Sequence, residues 1–318
     1  MKVLIVLAYN EELYIEKAIS SHIELFDKVV IVNDSSSDNT SKILEKLSKK
    51  NSKIETITNK KNYGPGKSMN IALKEAIQLG AKVIVKIDGD NQFKPQDIKD
   101  LLQLAEKNKS DFIKCDRFWS GGIEGDIPKI RYFGNAFASL LIKAITGKWS
   151  ITDPLNGLFL FSSTTAKEVV IPKFFNRYGY PFYINLSISK IGIKKNLNLH
   201  QFRNTITYAD EKSQLRPVSL FFKLITYSFY YFSSTIKTKL QDSNYQISGL
   251  IDVSALISLS TSMISFFMFV LTRYFSYQGN QHTWFLMFII FIILFIVLVY
   301  QSPKSIKYPG DNDFKYLN

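Results

Sequence analysis

Two long uncharged segments near the C-terminus constrain the fold of this 318-residue chain more than any other feature. The first is twenty residues long, 253–272, the second is twenty-one residues long, 283–303, and neither contains Asp, Glu, Lys or Arg. Because about 20 apolar helical residues cross the hydrocarbon core of a bilayer, the pair predicts a transmembrane helical hairpin. The first segment is less apolar and is also compatible with a buried helix of a soluble domain. Its Ser258, Ser262 and Ser265 are expected to face a neighbouring helix.

Basic residues flank this pair of segments. The outer flanks carry four lysines, Lys237, Lys239, Lys304 and Lys307. The connection between the segments offers only Arg273 and His282 as basic residues. Since positively charged flanks stay on the cytoplasmic side, both chain ends are predicted to be cytoplasmic. The sequence therefore predicts an integral membrane protein whose N-terminal domain lies in the cytoplasm.

Residues 217–239 mix many aromatic and aliphatic side chains with Lys223, Lys237 and Lys239. Aromatic residues with basic flanks suit a helix that lies in the membrane interface. The same stripe also suits a helix that packs on the core of a soluble domain, and the pattern does not separate the two. The expected organisation is a first domain at 1–212, an amphipathic segment at 213–246, the membrane helices at 247–303 and a cytoplasmic tail at 304–318.

Apolar β-rich segments alternate with segments of helical period in the N-terminal part of the chain. Strands are predicted at 3–8, 29–32, 54–58, 83–87 and 112–114, and helices at 12–25, 41–49, 67–79 and 95–107. Such alternation predicts an α/β fold with a mostly parallel sheet flanked by helices. Ligands of these folds bind beyond the carboxyl ends of the strands.

The formal net charge of +13 indicates an anionic partner, such as nucleic acid, a phosphorylated substrate or acidic lipid. No helix-turn-helix, zinc-finger or aromatic RNA-binding motif is present, so nucleic acid is not expected as a partner. Phosphate and membrane lipid are favoured instead. Cys115 is the sole cysteine, which excludes an intramolecular disulfide and a cysteine-based metal site.

The strongest chemical signal is Lys86-Ile87-Asp88-Gly89-Asp90-Asn91-Gln92, at the end of the fourth predicted strand. Two carboxylates separated by glycine can bind a divalent cation that keeps open positions for diphosphate oxygens. Such a cation stabilises a leaving nucleoside diphosphate as a Lewis acid. The alternative is an acidic turn without a ligand, because Asp-Gly is a common turn pair.

Polar residues also follow the first three predicted strands. Residues 9–12 follow the first strand and 33–40 follow the second, so their side chains are expected to share one crevice. Asp34 is suited to bind a base or ribose, whereas Asp38 or Thr40 is more consistent with capping the next helix. Residues 62–67 lead into the third helix, whose N-terminus favours anions, although the glycines there also suit a simple turn.

Taken in chain order, the motifs are Ala8-Tyr9-Asn10-Glu11-Glu12, Val32-Asn33-Asp34-Ser35-Ser36-Ser37-Asp38-Asn39-Thr40, Asn62-Tyr63-Gly64-Pro65-Gly66-Lys67, Asp88-Gly89-Asp90-Asn91-Gln92, Asp116-Arg117-Phe118, Arg131-Tyr132-Phe133-Gly134-Asn135 and Asp153-Pro154-Leu155-Asn156-Gly157. Their order and spacing resemble those of the family-two inverting glycosyltransferases of GT-A fold. Within that family the chain is most similar to the polyprenyl (dolichyl) phosphate sugar synthases, which transfer mannose or glucose.

The resemblance implies a role for each matching residue. A nucleotide-sugar donor, a UDP- or GDP-hexose, would be bound by Ala8, Tyr9, Asn10, Glu12, Asp34 and Lys67. A divalent cation, Mg²⁺ or Mn²⁺, and the donor diphosphate would be held by Asp88, Asp90 and Gln92. The catalytic residues would be Asp153, Asp90, Arg117 and Arg131. The two arginines would contact the acceptor phosphate or the transferred sugar, which suits their planar, permanently charged guanidinium groups.

Asp153 stands where the family keeps a catalytic carboxylate near the acceptor. An alcohol acceptor needs a general base, worth roughly a hundred- to ten-thousand-fold in rate. A lipid monophosphate is already ionised, since its second pKa is about 6, and Asp153 would then mainly orient other groups. We expect transfer to polyprenyl phosphate with inversion in a single in-line displacement. The alternatives are a lipid-linked glycan as acceptor and a nucleotide-binding membrane scaffold without activity.

Two departures from the family pattern bear on the substrates. Many relatives have two adjacent aspartates where this chain has Asn33-Asp34, which leaves the base preference open. In the segment 208–216 the arginine, glycine and lysine of the lipid-phosphate branch are replaced by Tyr208, Glu211 and Gln214. Lys212 and Arg216 are equally suited to bind a phosphate and to remain as solvated charges beside the membrane. A homo-oligomer is compatible with the sequence but not specified by it.

Overall fold

The structure is a computed structural model that describes residues 1–119, 122–124, 129–177, 179–207, 217–274, 279–305 and 314–317. The chain forms two compact units. The first, here called the α/β unit, comprises Met1–Ile142, Trp149–Tyr227 and Asn312–Asn318. The second, called the helical unit, comprises Lys143–Lys148 and Ser228–Asp311. Of the residues 304–318, for which the sequence predicts a tail, 312–318 are grouped with the α/β unit and 304–311 with the helical unit.

The N-terminal half of the α/β unit alternates strands and helices in the predicted order. Strands β1 to β5 are Lys2–Ala8, Lys28–Asn33, Ile54–Thr58, Val83–Asp88 and Phe112–Asp116. Helices α1 to α4 are Ile15–Ser20, Thr40–Lys50, Pro65–Gln78 and Pro95–Lys107. A 3-10 turn, Ile23–Leu25, follows α1.

Helix α1 is shorter than the predicted helix at 12–25. The backbone turns before it, because the carbonyl of Glu11 accepts hydrogen bonds from the N–H groups of Tyr14 and Ile15. The helix therefore begins only at Ile15.

Further elements of the described chain follow β5. The strands are β6, Ile123–Glu124; β7, Phe159–Ser162; β8, Leu199–Arg203; β9, Ile206–Thr207; and β10, Lys315–Leu317. The helices are α5, Lys129–Thr146; α6, Ser163–Ala166; a 3-10 turn, Lys173–Phe175; and α7, Tyr180–Lys194.

Within the described residues, eight strands form one sheet in the order β10-β8-β5-β7-β4-β1-β2-β3. Strand β7 is antiparallel to its neighbours β4 and β5, and the other neighbouring strands are parallel. A small second sheet pairs β6 with β9. The expected fold class, a mostly parallel sheet flanked by helices, is confirmed.

Helices cover the sheet, so its central strands are buried on both faces and read as continuous apolar runs. Residues Val3, Leu4, Ile5 and Val6 of β1 have no exposed surface. Two charged residues are exceptions to this apolar pattern. Lys86 in β4 and Lys114 in β5 are completely buried like the apolar residues around them. A buried ammonium group is costly unless it is paired, so both lysines require partners.

The helical unit contains the two apolar segments. Helix α8 is Pro217–Gln241, of which the residues from Ser228 onward belong to this unit. Helix α9 is Gln246–Tyr274, α10 is Gln281–Gln301, and a 3-10 turn, Ser302–Ser305, follows. Helix α9 and residues Gln281–Lys304 are long and apolar enough to cross a membrane, with mean hydropathies of 1.9 and 2.9.

Two of the serines predicted to face a helix neighbour do so. The hydroxyl of Ser258 donates to the Phe291 carbonyl at 2.8 Å, and that of Ser262 donates to the Phe288 carbonyl at 3.1 Å. Ser265 is buried, but its hydroxyl bonds to Thr261 within its own helix.

A buried ion pair lies at the start of α9. Lys239 Nζ is 2.6 Å from Asp252 Oδ2, and the two side chains are 6% and 0% exposed. The Ser302 hydroxyl also donates to Asp252, and Ser248 and Ser302 share a hydrogen bond of 2.8 Å. The pair therefore joins α8 to α9 and to the turn after α10.

Helix α8 has one buried and one exposed face. Leu224 and Tyr227 are buried, and the Tyr227 ring packs edge-on against Phe175 with centroids 3.8 Å apart. Phe222 and Phe229 are 63% and 53% exposed. Leu224 and Tyr227 belong to the α/β unit, so this part of α8 agrees with the core-packing interpretation of residues 217–239; the interfacial interpretation stays a prediction.

Candidate active site

The ends of β1, β2 and β4 bring the predicted donor-binding residues together. Ala8 at the end of β1 pairs with Asn33 of β2, and Leu7 pairs with Asp88 of β4. Backbone hydrogen bonds extend both pairings, from Asp34 N–H to the Ala8 carbonyl and from Gly89 N–H to the Leu7 carbonyl. The motifs at 8–12, 33–40 and 88–92 therefore lie at one edge of the sheet, as the parallel arrangement predicted.

Side-chain hydrogen bonds tie the β1 loop to the β2 loop. Asn10 Oδ1 accepts from the Ser37 N–H at 2.8 Å. Glu12 Oε2 accepts from the Asn39 N–H and side-chain amide, both at 2.9 Å. These hydrogen bonds use part of the hydrogen-bonding capacity of the Asn10 and Glu12 side chains. They also fix the conformation of both loops before any ligand binds.

Asp38 joins the same two loops. Its Oδ2 accepts from the Glu12 N–H at 3.1 Å, and its Oδ1 accepts from the Thr40 N–H at 3.0 Å. Burial raises the pKa of Asp38, but the hydrogen bonds from Thr40 and Glu12 outweigh burial and lower the pKa below its usual value. Asp38 thus contacts the first turn of α2, in agreement with the capping interpretation.

Three non-glycine residues with left-handed backbones mark these loops. Asn10, Ser35 and Asn91 have φ values of 58°, 62° and 58° and follow β1, β2 and β4. Such conformations cost of order 1 kcal/mol or more and concentrate at functional sites. Their clustering at one sheet edge supports a ligand-binding role for this edge.

Asp34 is buried and holds the loop after β3. Its Oδ1 accepts from the Asn59 side-chain amide at 2.7 Å and the Tyr63 N–H at 2.9 Å, and its Oδ2 accepts from the Gly64 N–H at 2.6 Å. A carboxylate has about four acceptor positions, and these hydrogen bonds fill three of them. Much of its binding capacity is used internally.

The N-terminus of α3 is covered by the chain itself. The Asn176 carbonyl accepts from the N–H groups of Gly66 at 2.7 Å and Lys67 at 3.3 Å. Gly64 has φ 97°, and a Cβ there would lie 2.5 Å from the same carbonyl, so this close approach requires glycine. Two of the helix donors expected to attract an anion are therefore occupied, which favours the turn interpretation of this loop.

Asp88 and Asp90 follow β4 as predicted. Asp88 Oδ1 accepts from the buried Lys86 Nζ at 2.7 Å, so Asp88 partly neutralises this ammonium group. Asp90 Oδ1 accepts from the backbone N–H of Gln92 at 3.2 Å. In the Asp-Gly-Asp segment, Asp88 is thus paired with the buried ammonium group of Lys86, and Asp90 accepts a hydrogen bond that closes a turn.

The donor atoms at this place fit a divalent cation that binds together with a ligand. All are carboxylate or amide oxygens, which Mg²⁺ and Mn²⁺ prefer. Among the described residues, no group of three or more His, Cys, Asp or Glu side chains is placed to hold a metal by itself. A cation at Asp88 and Asp90 therefore needs further oxygen ligands from a bound diphosphate or water.

Gly157 brings the Asp153 segment onto this carboxylate. A Cβ at Gly157 would lie 2.4 Å from Asp88 Oδ2 and 3.1 Å from Lys86 Nζ. Only glycine permits this approach, which places the backbone after Asp153 beside the Asp-Gly-Asp segment.

Tyr180, at the start of α7, borders the same group. Burial raises the pKa of Tyr180 well above its ordinary value, and the charges of Asp88 and Asp90 raise it further. Lys86 Nζ lies 5.4 Å from the centre of the Tyr180 ring. The Lys86 ammonium is thus stabilised by a carboxylate and by a neutral aromatic ring.

Asp153 is completely buried and paired with Arg117. Its Oδ2 lies 3.0 Å from Arg117 Nε and accepts from the Arg117 N–H at 3.2 Å. Burial raises the pKa of Asp153 above its ordinary value, and the Asp116 charge adds to that rise, while Arg117 and Lys114 oppose it. The predicted catalytic carboxylate and arginine are therefore in direct contact.

Lys114 provides a second buried positive charge. Its Nζ donates to Gln201 Oε1 at 3.1 Å. Burial lowers the pKa of Lys114, and the charges of Asp153 and Asp116 oppose that shift. Lys86 opens the motif at the end of β4, but neither Lys86 nor Lys114 was given a role from the sequence, although a lysine inside an apolar strand was a visible signal.

Asp116 lies beside the Asp153–Arg117 ion pair. Its Oδ2 accepts from the hydroxyls of Thr152 and Tyr316, both at 2.7 Å, and its Oδ1 accepts from the Phe118 N–H at 2.9 Å. Burial raises the pKa of Asp116, but the Lys114 charge and the hydrogen bonds outweigh burial and lower it. Neither Thr152 nor Tyr316 had a local sequence signal.

Arg131 lies in the first turn of α5. Its neighbours Ile130, Tyr132 and Phe133 are 59%, 53% and 67% exposed, so the arginine lies on an aromatic, solvent-facing stretch of helix. Lys212 and Arg216, in the segment 208–216, lie outside the described residues.

Two curated relatives share the first part of the chain. An uncharacterised protein of Methanocaldococcus jannaschii is 34% identical over 198 residues, which is 60% of this chain and 82% of the relative. The UDP-N-acetylglucosamine–dolichyl-phosphate N-acetylglucosaminyltransferase of Methanococcus voltae is 30% identical over 177 residues, 52% of this chain and 70% of the relative.

A solved structure shares the fold. The complex of glucosyl-3-phosphoglycerate synthase from Mycobacterium tuberculosis with Mn²⁺, UDP-glucose and phosphoglyceric acid matches with a TM-score of 0.54 and 13% identity. The match covers 72% of this chain and 80% of that chain. At this identity it supports the GT-A architecture alone. Residues 3–169, more than half of the sequence, match the model of glycosyl transferase family 2, and the chain belongs to that family.

Proposed function

We propose that this glycosyltransferase moves a sugar from a UDP- or GDP-hexose to a membrane polyprenyl phosphate, with inversion and with the help of a divalent cation. The observation that carries the proposal is the Gly157 contact, which brings the segment of the buried Asp153–Arg117 pair onto the Asp88 carboxylate. In this proposal, a site for a diphosphate-bound cation and a site for an anionic acceptor are adjacent.

The donor is bound at the edge formed by β1, β2 and β4. Ala8, Tyr9, Asn10, Glu12 and Asp34 contact the nucleoside in this proposal, and Lys67 contributes positive charge. The loop-to-loop hydrogen bonds of Asn10 and Glu12 support it, because they fix the loops in advance. Pre-organisation of this kind reduces the entropy lost on binding.

Asp88, Asp90 and Gln92 would hold Mg²⁺ or Mn²⁺ together with the donor diphosphate. When bound, the cation acts as a Lewis acid that neutralises charge on the departing nucleoside diphosphate. Lys86 shares Asp88 with the cation in this proposal, because its ammonium stands 2.7 Å from Asp88 Oδ1 and already balances part of the carboxylate charge.

Arg117 and Arg131 bind the acceptor phosphate in this proposal, and Asp153 orients the Arg117 guanidinium through its contact at 3.0 Å. A phosphate monoester is already ionised near neutral pH, so its oxygen can attack the anomeric carbon without a base. The carbon–oxygen bond to the acceptor forms as the bond to the diphosphate breaks. Attack from the opposite face inverts the anomeric configuration.

Two findings support a lipid acceptor. The relative from Methanococcus voltae is named for transfer to dolichyl phosphate. Helices α9 and α10 have the length and hydropathy of membrane spans. With basic residues outside the hairpin, the α/β unit lies on the cytoplasmic side in this proposal.

The test uses membranes that contain the protein, labelled UDP- and GDP-sugars, Mn²⁺ or Mg²⁺, and a short polyprenyl phosphate. Label should enter an organic-soluble, mild-acid-labile lipid, and the transferred sugar should have the anomeric configuration opposite to that of the donor. Asp90→Asn should abolish transfer, whereas the control Asp100→Asn, at a half-buried position on α4, should not. Retention of configuration, or full activity in the presence of chelator, contradicts the proposed mechanism.

One observation favours a second candidate, transfer to the hydroxyl of a lipid-linked glycan. Burial raises the pKa of Asp153, which makes its carboxylate a better general base. An alcohol acceptor needs such a base. Label that enters only a glycan, with polyprenyl phosphate inert as acceptor, would favour this candidate.

A further inference from the structure

The described C-terminal residues form an edge strand of the sheet. Strand β10 pairs with β8 in parallel, with Lys315 opposite His200, Tyr316 opposite Gln201 and Leu317 opposite Phe202. Phe314 and Leu317 are 3% and 8% exposed. Because β10 follows α9 and α10 in sequence, the chain returns to the α/β unit after the apolar helices.

Tyr316 connects this strand to the side chains of Asp116 and Thr152. Its hydroxyl donates to Asp116 Oδ2 at 2.7 Å and lies 2.9 Å from Thr152 Oγ1. The Arg203 guanidinium stands 5.1 Å from the centre of its ring. Burial raises the pKa of Tyr316 to about 12, so the hydroxyl stays protonated and remains a donor near neutral pH.

The contacts of Tyr316 lie one residue away from the catalytic pair. Asp116 precedes Arg117, and Thr152 precedes Asp153. The bond between Thr152 Oγ1 and Asp116 Oδ2 therefore runs next to the ion pair between Asp153 and Arg117. Both cross-links connect the end of β5 to the same segment, and the Tyr316 hydroxyl contacts both members of the first.

We propose that the C-terminal strand completes the active site and that Tyr316 is a positioning residue for the Asp153–Arg117 pair. This inference rests on the proposed function. A hydrogen bond from a neutral hydroxyl to a carboxylate is strong and directional, so it restricts the end of β5 where Arg117 begins. The strand itself is held by β8 and by the buried Phe314 and Leu317.

The first test measures sugar transfer by the full-length Tyr316→Phe protein. Phenylalanine keeps the ring and the strand pairing and removes only the hydroxyl. We expect kcat to fall about tenfold, equivalent to roughly 1.4 kcal/mol, with an unchanged donor KM because Tyr316 does not contact the donor edge. Thr152→Val, which removes the other hydroxyl on Asp116, should have a similar effect. Lys315→Ala, an exposed change in the same strand, is the control and should leave kcat unchanged.

The second test does not depend on activity. The Arg117 N–H donates to Asp153 and the Phe118 N–H donates to Asp116, so both amides report on the two cross-links. Hydrogen–deuterium exchange of the full-length protein should be several-fold faster at these amides in Tyr316→Phe and unchanged in β1. Deletion of residues 314–318 should give the same local increase.

The outcomes separate the two proposals. If kcat and the exchange at Arg117 and Phe118 match those of the wild type in Tyr316→Phe, the positioning role is wrong. If exchange increases but the wild-type protein transfers no sugar from any nucleotide-sugar tested, the proposed function fails and the structural link of β10 to Asp153 stands. A lower melting temperature with equal exchange at both amides shows a strand that only stabilises the sheet, and it also overturns the proposal.

Discussion

At the scale of single residues, the site depends on charges that are buried and paired. Asp153 and Lys114 have no exposed surface, and the Arg117 side chain that pairs with Asp153 is 18% exposed. Electrostatic interactions are stronger in such a water-poor environment, which suits the stabilisation of charge during transfer. The same burial makes each partner sensitive to the loss of the other.

Asp153→Asn should lower kcat by about a hundredfold or more while nucleotide binding is retained. The amide loses the charge that holds Arg117, but it keeps the side-chain size. Steady-state kinetics at saturating donor and acceptor measure the effect, with Asp100→Asn, a half-buried position on α4, as the control. A variant with unchanged turnover would remove Asp153 from the mechanism.

The pH dependence of kcat follows from the raised pKa of Asp153. In the proposed mechanism the ionised Asp153 carboxylate holds Arg117, so kcat should decrease as the pH falls through this pKa. Because burial raises the pKa, the decrease should occur above the ordinary aspartate value of about 3.9. A pH profile of kcat for the wild type and for Asp153→Asn checks this, since the variant should lack this decrease.

Lys86→Met tests the internal cation beside Asp88. Methionine retains much of the apolar volume but removes the ammonium 2.7 Å from Asp88 Oδ1. Without metal, the variant should melt at a lower temperature because Asp88 loses its partner. The increase in melting temperature on adding Mn²⁺ with nucleoside diphosphate should be larger than in the wild type, because the cation no longer competes with an ammonium group. An equal or smaller increase would show that Lys86 does not compete at this site.

At the scale of elements, the helical unit is organised by polar contacts within an apolar environment. Two serines of α9 bond to carbonyls of α10, which fixes the rotation of one helix against the other. Lys239 and Asp252 connect α8 to α9 near the end of the hairpin. These contacts specify one arrangement among the many that apolar surfaces alone permit.

Asp252→Ala should destabilise the helical unit by about 3–5 kcal/mol, because Lys239 is left as a buried, unpaired charge. The double variant Lys239→Met with Asp252→Leu should recover much of this loss, since neither charge remains. Thermal unfolding of the detergent-solubilised protein measures both variants. Ser254→Ala, an exposed change on α9, is the matched control. A double variant no more stable than Asp252→Ala would contradict this account.

At the scale of the whole molecule, the chain combines a GT-A unit with a candidate membrane hairpin. Its single cysteine permits a direct test of topology. Cys115 is completely buried, and burial raises the pKa of its thiol, so the native protein should react little with maleimides.

Cysteines introduced at Lys46 and His282, which are exposed on α2 and at the start of α10, should be labelled from opposite sides of sealed vesicles. The Lys46→Cys protein should react from the cytoplasmic side and the His282→Cys protein from the other side. Membrane-impermeant maleimide applied to vesicles of both orientations gives the measurement. Labelling of both from the same side would show that the hairpin does not cross the bilayer.

The sequence by itself determined the features that depend on local pattern. The alternation of strand and helix periods predicted β1 to β5 and α1 to α4, and uncharged runs predicted α9 and α10. The polar clusters after β1, β2 and β4 followed from the rule that parallel strands end at one edge. These predictions were correct because each depends on a pattern among residues that are close together in the sequence.

The tertiary structure alone decided the contacts between distant residues. Strand β7 is a four-residue antiparallel insertion between β4 and β5, and no local hydrophobic periodicity predicted it. The Tyr316 hydroxyl meets Asp116 across 200 positions of sequence. The Asn176 carbonyl accepts from backbone N–H groups at the start of α3, which the local sequence predicted as an anion-binding position. Such pairings depend on how the whole chain packs, because a hydrogen-bonding group is satisfied by whichever partner folding brings within reach.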